Sequence, residues 1–289
     1  MAAYNWFITG AGSGLGLEVT RQLLERGDSV VATGRALGGG LAELAERYGS
    51  RLRTAVVDVT DAVAVEREVA RAFETFGRID VVFSNAGFGV LGAVEELDDD
   101  LVARQIDVNL VGAIRVVRAV VPRLRAQGGG RIVQMSSSGG QVADPGMSVY
   151  NATKFGLEGF FDSIAVELAP FGIGVTLIAP GGTRTGFAAS IVAAPALPVY
   201  EDGVVGMVRA ARAGGLGPEE LRRAVAGDPV RVAGAIIDAA VVEPVPRRLV
   251  LGAVAYEAVT AALGERLDAL RAQKVVALST DADDVRVSV

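Results

Sequence analysis

Two hydrophobic periods take turns along this chain. Trp6-Phe7-Ile8-Thr9 is a short apolar run that reads as a strand, and Leu15, Val19, Leu23 and Leu24 then recur on one helical face. The exchange repeats. Strands are predicted at Ser29 to Thr33, Leu52 to Val57, Asp80 to Ser84, Arg131 to Met135, Gly174 to Ile178 and Arg248 to Leu251. Helical patterns run between them at Leu41 to Tyr48, Val63 to Phe76, Leu97 to Arg125, Tyr150 to Leu168, Val230 to Val242 and Tyr256 to Leu270. Runs that are apolar at successive positions, such as Val81-Val82-Phe83, suit parallel strands covered on both faces. The pattern predicts one α/β domain over 1–289, a doubly wound, mostly seven-stranded parallel sheet with helices on both faces. Residues 182–228 lose the rhythm, so 186–228 is read as an insert and 271–289 as a C-terminal tail.

The first turn gives this pattern a chemistry. Gly10, Gly12, Gly14 and Gly16, with Ser13 and Leu15 among them, join the first strand to the first helix. Glycines let the backbone approach an anion, and the opening helical turn offers it unpaired N–H groups. That is a dinucleotide-phosphate turn of Rossmann-like type, with approximate spacing. A carboxylate at the end of the second strand would bind a ribose 2′-OH, but the chain reads Thr33-Gly34-Arg35 there. Arg35 favours a 2′-phosphate instead, with Ser13 as a second donor, so NADP(H) is the expected cofactor. Asp58, followed by Val59, ends the third strand, where it either accepts from an adenine amino group or caps a helix. Asn85-Ala86-Gly87 closes the fourth strand with small residues suited to a cofactor running close.

Composition narrows the acid–base groups. The 289 residues are 51% hydrophobic, enough for a sizeable core, yet no 18-residue stretch is uniformly apolar and no membrane span is expected. No secretory leader is visible, so the expected location is cytoplasmic. With no cysteine there is neither disulfide nor thiolate, and with no histidine the commonest base and metal ligand is gone; no metal site is expected. A net charge of −6 argues against nucleic acid as partner. The acidic run 281–284 reads as a soluble end. Proton chemistry falls to Tyr, Lys, Asp or Glu.

Tyr150-Asn151-Ala152-Thr153-Lys154 sets a phenol and an ammonium one helical turn apart on one face. The cation is expected to lower the phenol's pKa and equip Tyr150 as a general acid–base group. The fifth strand runs into Ser136-Ser137-Ser138, at the sheet edge where ligands bind, so a serine hydroxyl there can hold a substrate oxygen. Asn109 stands among apolar neighbours and needs partners; a water leading to Lys154 is one candidate, simple core satisfaction another.

Together these pieces resemble the short-chain dehydrogenase/reductase family, in the broad branch of 17β-hydroxysteroid and retinol dehydrogenases and bacterial ketoreductases. The resemblance is carried by Thr9 to Gly16, Asn85-Ala86-Gly87, Asn109, Ser137, Tyr150 with Lys154, and Pro180-Gly181. It implies a catalytic tetrad of Asn109, Ser137, Tyr150 and Lys154, the serine lying thirteen residues before the tyrosine. It also implies that Tyr150 and Lys154 meet the nicotinamide ribose, with Pro180, Gly181, Thr183 and Thr185 lining the nicotinamide. The function implied is hydride transfer between NADP(H) and a carbonyl or secondary alcohol. A dehydratase or epimerase, and a non-enzymatic nucleotide-sensing protein, are the alternatives. Residues 186–200 carry no charge and are expected either to cover a mainly hydrophobic substrate or to meet another subunit. A homodimer or homotetramer is expected, from apolar surplus at Val116, Val120, Phe160, Phe161 and Ile164 and from the resemblance.

Overall fold

A computed structural model describes residues 3–282. The chain runs β1 (Asn5–Thr9), α1 (Gly14–Arg26), β2 (Ser29–Gly34), α2 (Gly39–Tyr48), β3 (Leu52–Val56), α3 (Ala62–Phe76), β4 (Val81–Ser84) and β5 (Val90–Leu91). It continues through α4 (Asp99–Ile106), α5 (Gly112–Ala126), β6 (Gly130–Met135), α6 (Ser148–Leu168), β7 (Ile173–Pro180), β8 (Val192–Ala193), α7 (Val204–Ala210) and α8 (Pro218–Ala224). Last come α9 (Pro229–Val241), β9 (Arg248–Leu251), α10 (Ala253–Ala272) and α11 (Lys274–Leu278). Seven strands form one parallel sheet in the order β3-β2-β1-β4-β6-β7-β9. The chain winds one way from β1 to β3 and the other way from β4 onward. A crevice therefore opens at the carboxyl ends of β1 and β4, where ligands bind in such sheets.

Alternation within β1 explains the two core layers. Phe7 points to the face covered by Val65, Val69, Val116, Val120 and Phe161, while Trp6 and Ile8 point to the face covered by Val19, Leu23 and Ile236. The first layer corrects one expectation. Val116, Val120, Phe161 and Ile164 are buried inside a single chain, because α3 and α5 pack on each other as well as on the sheet; only Phe160 remains partly open. Exposed apolar residues include Phe155 and Val166 on α6 and, along α10, Tyr256, Leu263, Leu267 and Leu270.

Other predicted boundaries shift where tertiary contacts outweigh local pattern. The helical stretch 97–125 is broken by a π-helical turn at Asp107–Val111 between α4 and α5. Residues 182–228 contain α7 and α8, and β8 pairs in parallel with β5 through Val90↔Val192 and Leu91↔Ala193. Of the predicted tail, 271–272 end α10 and 274–278 form α11, and residues 283–289, with half of the acidic run, lie outside the described residues. No described helix is long and apolar enough to cross a membrane.

Candidate active site

Thr9 and Asn85 tie the two strands that flank the crevice. Thr9 Oγ1 accepts from the N–H groups of Asn85 and Ala86 at 3.0 and 3.1 Å, and Asn85 Nδ2 donates to the carbonyls of Thr9 and Gly10. This close approach is why the turn is glycine. A Cβ on Gly10, where φ is +67°, would stand 2.9 Å from Ala86 Cα, and one on Gly16 would stand 2.3 Å from the Gly10 carbonyl. A Cβ on Gly12 would press on the Ala36 carbonyl at 2.7 Å. Ser13 is the extended N-cap of α1 and makes no side-chain cap, so it leaves the opening N–H groups to another acceptor. Leu15 anchors the turn in the core, and Thr185 arrives from the far side, with its Cβ 3.7 Å from a Cβ built on Gly14. Open N–H groups behind a bare glycine backbone fit a pyrophosphate.

At the ends of β2 and β3 lies a cleft of about 410 Å³, lined by Arg35, Asp58, Thr60, Arg104 and Asp107 among others. Arg35 is there, as its position past Gly34 predicts. Arg104 is a second cation that sequence reasoning missed; nothing local separates it from the chain's many surface arginines. Asp58 does not cap α3. That role falls to Asp61, which accepts from Ala64 N at 2.9 Å. Asp58 Oδ1 instead takes the N–H and hydroxyl of Thr60. Burial alone would push its carboxyl up, but the Thr60 bonds, with Arg35 and Arg104 nearby, hold it below the usual carboxylate range. Val59 is buried, and a Cβ on Gly112 would meet its Cγ2 at 2.7 Å.

The reacting end is built by one face of α6 against the end of β6. Tyr150, Lys154 and Glu158 recur every four residues, and all three are buried. Lys154 Nζ donates to the Met135 carbonyl at 2.9 Å, and Ser136 Oγ donates to Glu158 Oε1 at 2.5 Å. Arg248 Nε, reaching in from β9, donates to Glu158 Oε2 at 2.6 Å. Ser136 is thereby committed to the framework. Ser137 is the serine beside Tyr150: a point 3.5 Å from its Oγ is 3.3 Å from the phenol ring edge, next to Gly139. Glu158 was not anticipated as part of the site, although its place one turn past Lys154 was legible.

Asn109 sits on the π-helical turn, and its side chain is met by protein partners, as the core-satisfaction reading expects. Its Oδ1 accepts from Phe88 N at 3.0 Å, and its Nδ2 donates to the Phe88 carbonyl at 2.8 Å and to Thr153 Oγ1 at 3.3 Å. A Cβ on Gly87 would be 3.2 Å from Asn109 Oδ1 and 4.0 Å from Lys154 Nζ, so these two groups meet at the glycine.

The phenol also departs from expectation. Burial pushes Tyr150 up to about 12; the Ser137 hydroxyl offsets part of this and the Asp144 carboxylate adds to it. Burial likewise pushes Lys154 down to about 8, with the Glu158 carboxylate resisting. The ammonium lies 5.6 Å from the centre of the Tyr150 ring and is turned toward the Met135 carbonyl, so desolvation outweighs its attraction for a phenolate.

Past β7, Pro180-Gly181 turns toward β9, with Gly181 N donating to the Leu251 carbonyl at 2.9 Å. Thr183 Oγ1 donates to the Gly181 carbonyl at 3.1 Å, and Thr185 Oγ1 accepts from Phe187 N. The uncharged stretch then folds back over the crevice within one chain. Phe187 stands 6.1 Å from the Tyr150 ring, and Ile191 and Val208 pack on Leu91, Met147 and Tyr150. Glu96 fastens the far end, accepting from Leu197 N at 2.8 Å, Ala93 N at 2.6 Å and Arg209 Nη2 at 2.6 Å.

This fold and this set of groups are those of an oxidoreductase. The chain belongs to the short chain dehydrogenase family, which matches it over residues 5–196. It is 38% identical to oxidoreductase BOA17 of Botryotinia fuckeliana over 87% of its own length and 90% of that protein. It is 39% identical to human 17-beta-hydroxysteroid dehydrogenase type 1, over 65% of this chain and 59% of the human one. Among solved structures, a short-chain dehydrogenase from Streptomyces avermitilis superposes with a TM-score of 0.87 at 33% identity, covering 97% of this chain and all of that one.

Proposed function

We propose that the protein is an NADP(H)-dependent reductase of mainly hydrophobic ketones, running in reverse as a secondary-alcohol dehydrogenase. The observation that carries this is the crevice itself. Tyr150 and Ser137 converge beside Gly139, under an apolar wall of Leu91, Met147, Phe187, Ile191 and Val208. When bound, the nicotinamide supplies or accepts the hydride. Ser137 Oγ orients the substrate oxygen. Tyr150, whose phenol stays protonated, donates its proton to that oxygen as charge develops there. Lys154 supplies positive charge behind the phenol and a donor for ribose hydroxyls, and Asn109 holds the strand-four loop at Gly87 against it. The glycine turn, Asn85-Ala86-Gly87 and Pro180 to Thr185 cradle the cofactor's length. Arg35 and Arg104 support the phosphorylated form, because two cations and no strand-two carboxylate line the ribose end.

Residues 186–228 act as the substrate cover, latched by Glu96. The human relative's name declares a hydroxysteroid substrate, a compact apolar ring system that suits such a wall. A homodimer or homotetramer is part of the proposal, supported by the exposed stripe on α10. The test is kcat/KM for NADPH-driven reduction of straight-chain alkyl ketones. Each buried CH₂ contributes about 0.8 kcal/mol, roughly fourfold per carbon at most, until the crevice fills. A flat or falling trend from the shortest member overturns the apolar wall, and no turnover of any ketone overturns the reductase.

A further inference from the structure

One carboxylate in the crevice takes no part in hydride transfer. Asp144 lies in the loop between β6 and α6, and two bonds fix that loop. Met147 N donates to the Asp144 carbonyl at 3.1 Å, and Asn151 Nδ2 donates to the Val142 carbonyl at 2.7 Å. The side chain turns toward the reacting groups. A single point, where Gly139 would carry a Cβ, is 3.3 Å from Tyr150 Cε1, 3.5 Å from Ser137 Oγ and 3.6 Å from Asp144 Oδ2. Phenol, hydroxyl and carboxylate therefore surround one small space.

Nothing protein-borne answers that carboxylate. Among the described residues, no hydrogen bond and no ion pair reaches either carboxylate oxygen of Asp144, whereas Glu96 and Glu158 are each met by an arginine. The residue is exposed at the rim of the crevice, and partial desolvation on its inner side raises the Asp144 carboxyl above its usual range. An ionised carboxylate accepts hydrogen bonds and donates none. Beside it the crevice is otherwise apolar, floored by Leu91 and Met147. Asp144 is exposed, so water answers its carboxylate in the free protein, and a substrate that displaces this water must donate in its place or lose affinity.

We infer that Asp144 is a substrate-recognition group, and that the preferred substrates are apolar ketones bearing a hydroxyl or an ammonium within two carbons of the carbonyl. This rests on the ketone-reductase function proposed above, and it adds a polar requirement to the greasy one. With the carbonyl oxygen between Ser137 and Tyr150, a donor on a neighbouring carbon falls within reach of Asp144. A cationic donor gains most, since charge-assisted hydrogen bonds exceed neutral ones. A carboxylate at the same place is repelled by the same residue, so keto acids are selected against.

A matched aryl series tests this with NADPH: propiophenone, 3-hydroxypropiophenone, 3-aminopropiophenone and benzoylacetate. The compounds share one ring and carbonyl and differ in one terminal group. For the wild-type enzyme kcat/KM should rise from propiophenone to the hydroxy and then the amino ketone, the amino ketone leading by on the order of tenfold. Benzoylacetate should rank last. In Asp144→Asn the amino-to-plain ratio should fall to within about threefold, and benzoylacetate should gain on propiophenone severalfold. A wild-type enzyme that reduces propiophenone as well as its amino analogue overturns the inference, as does a ratio that Asp144→Asn leaves unmoved. The wild-type ranking decides the matter even if the variant does not fold. Turnover of propiophenone without discrimination sinks the role of Asp144 alone; no turnover of any ketone sinks the reductase and this role together.

Discussion

Replacing Glu158 with Gln should disarm Lys154 without touching it. Glu158 lies one helical turn past the lysine, and its charge is what opposes the downward push of burial on the ammonium. Side chains at this spacing have Cβ atoms about 6 Å apart, and at an effective dielectric near 20 that separation corresponds to roughly 3 kcal/mol. Arg248 already offsets part of the carboxylate's field, so the usable effect is about half, near one pKa unit. Lys154 should then lose its proton about one unit below the wild-type value of about 8. The chain makes this directly measurable. Only Lys154 and Lys274 are lysines, so ¹³Cε-lysine NMR gives two side-chain signals, with the exposed Lys274 as reference.

The signs follow from the depressed value. Below about pH 8 Lys154 is charged in both folded and unfolded chains, and the cost of burying it is fully present. Between about 8 and the unfolded value of 10.5 the folded state sheds its proton first, so stability rises with pH in that window. Activity moves the other way: kcat/KM for ketone reduction should fall as pH rises through about 8, and in Glu158→Gln the fall should begin earlier. The variant should also lose about 1–2 kcal/mol, because Ser136 keeps a neutral acceptor while Arg248 retains only Asp162. Superposable Lys154 titrations in the two proteins would refute the reasoning, whatever happened to the melting temperature.

Two further outcomes are expected. Arg35→Asp should reverse or abolish a preference for NADPH over NADH, shifting the ratio of kcat/KM values by at least tenfold; a ratio that stays put removes Arg35 from cofactor choice. Light scattering at micromolar concentration should give a mass of at least twice 29.8 kDa, and Leu263→Glu with Leu267→Glu on α10 should lower it, whereas a wild-type monomer would refute the assembly.

Most of the sheet was legible because covered parallel strands leave continuous apolar runs, and Arg248 to Leu251 is the same in pattern and structure. The glycine turn and the Tyr150–Lys154 face were legible for a similar reason: each depends on local geometry alone. What sequence patterning missed depends on distant neighbours. Arg104 joins Arg35 only when α4 comes to line the same cleft as the end of β2, and Glu158 gains meaning only when Arg248 arrives from β9. The Tyr150 phenol reversed direction because helical spacing reports who stands near but not how much water is left. The pairing of β5 with β8 spans about a hundred residues and two positions, too short for any periodic signal.

The π-helical turn at Asp107–Val111 has a consequence for how such a chain can change over time. A π turn holds one residue more than the α-helical turn it replaces, so it stores a single-residue insertion inside an otherwise continuous helix. Asn109 reaches Phe88 and Thr153 only from that offset. Deleting one residue from 107 to 111 would restore a smooth helix while leaving the flanking faces of α4 and α5 in register. Such a deletion would keep the fold's outline and lose the asparagine from the crevice. Length is therefore set here to the single residue.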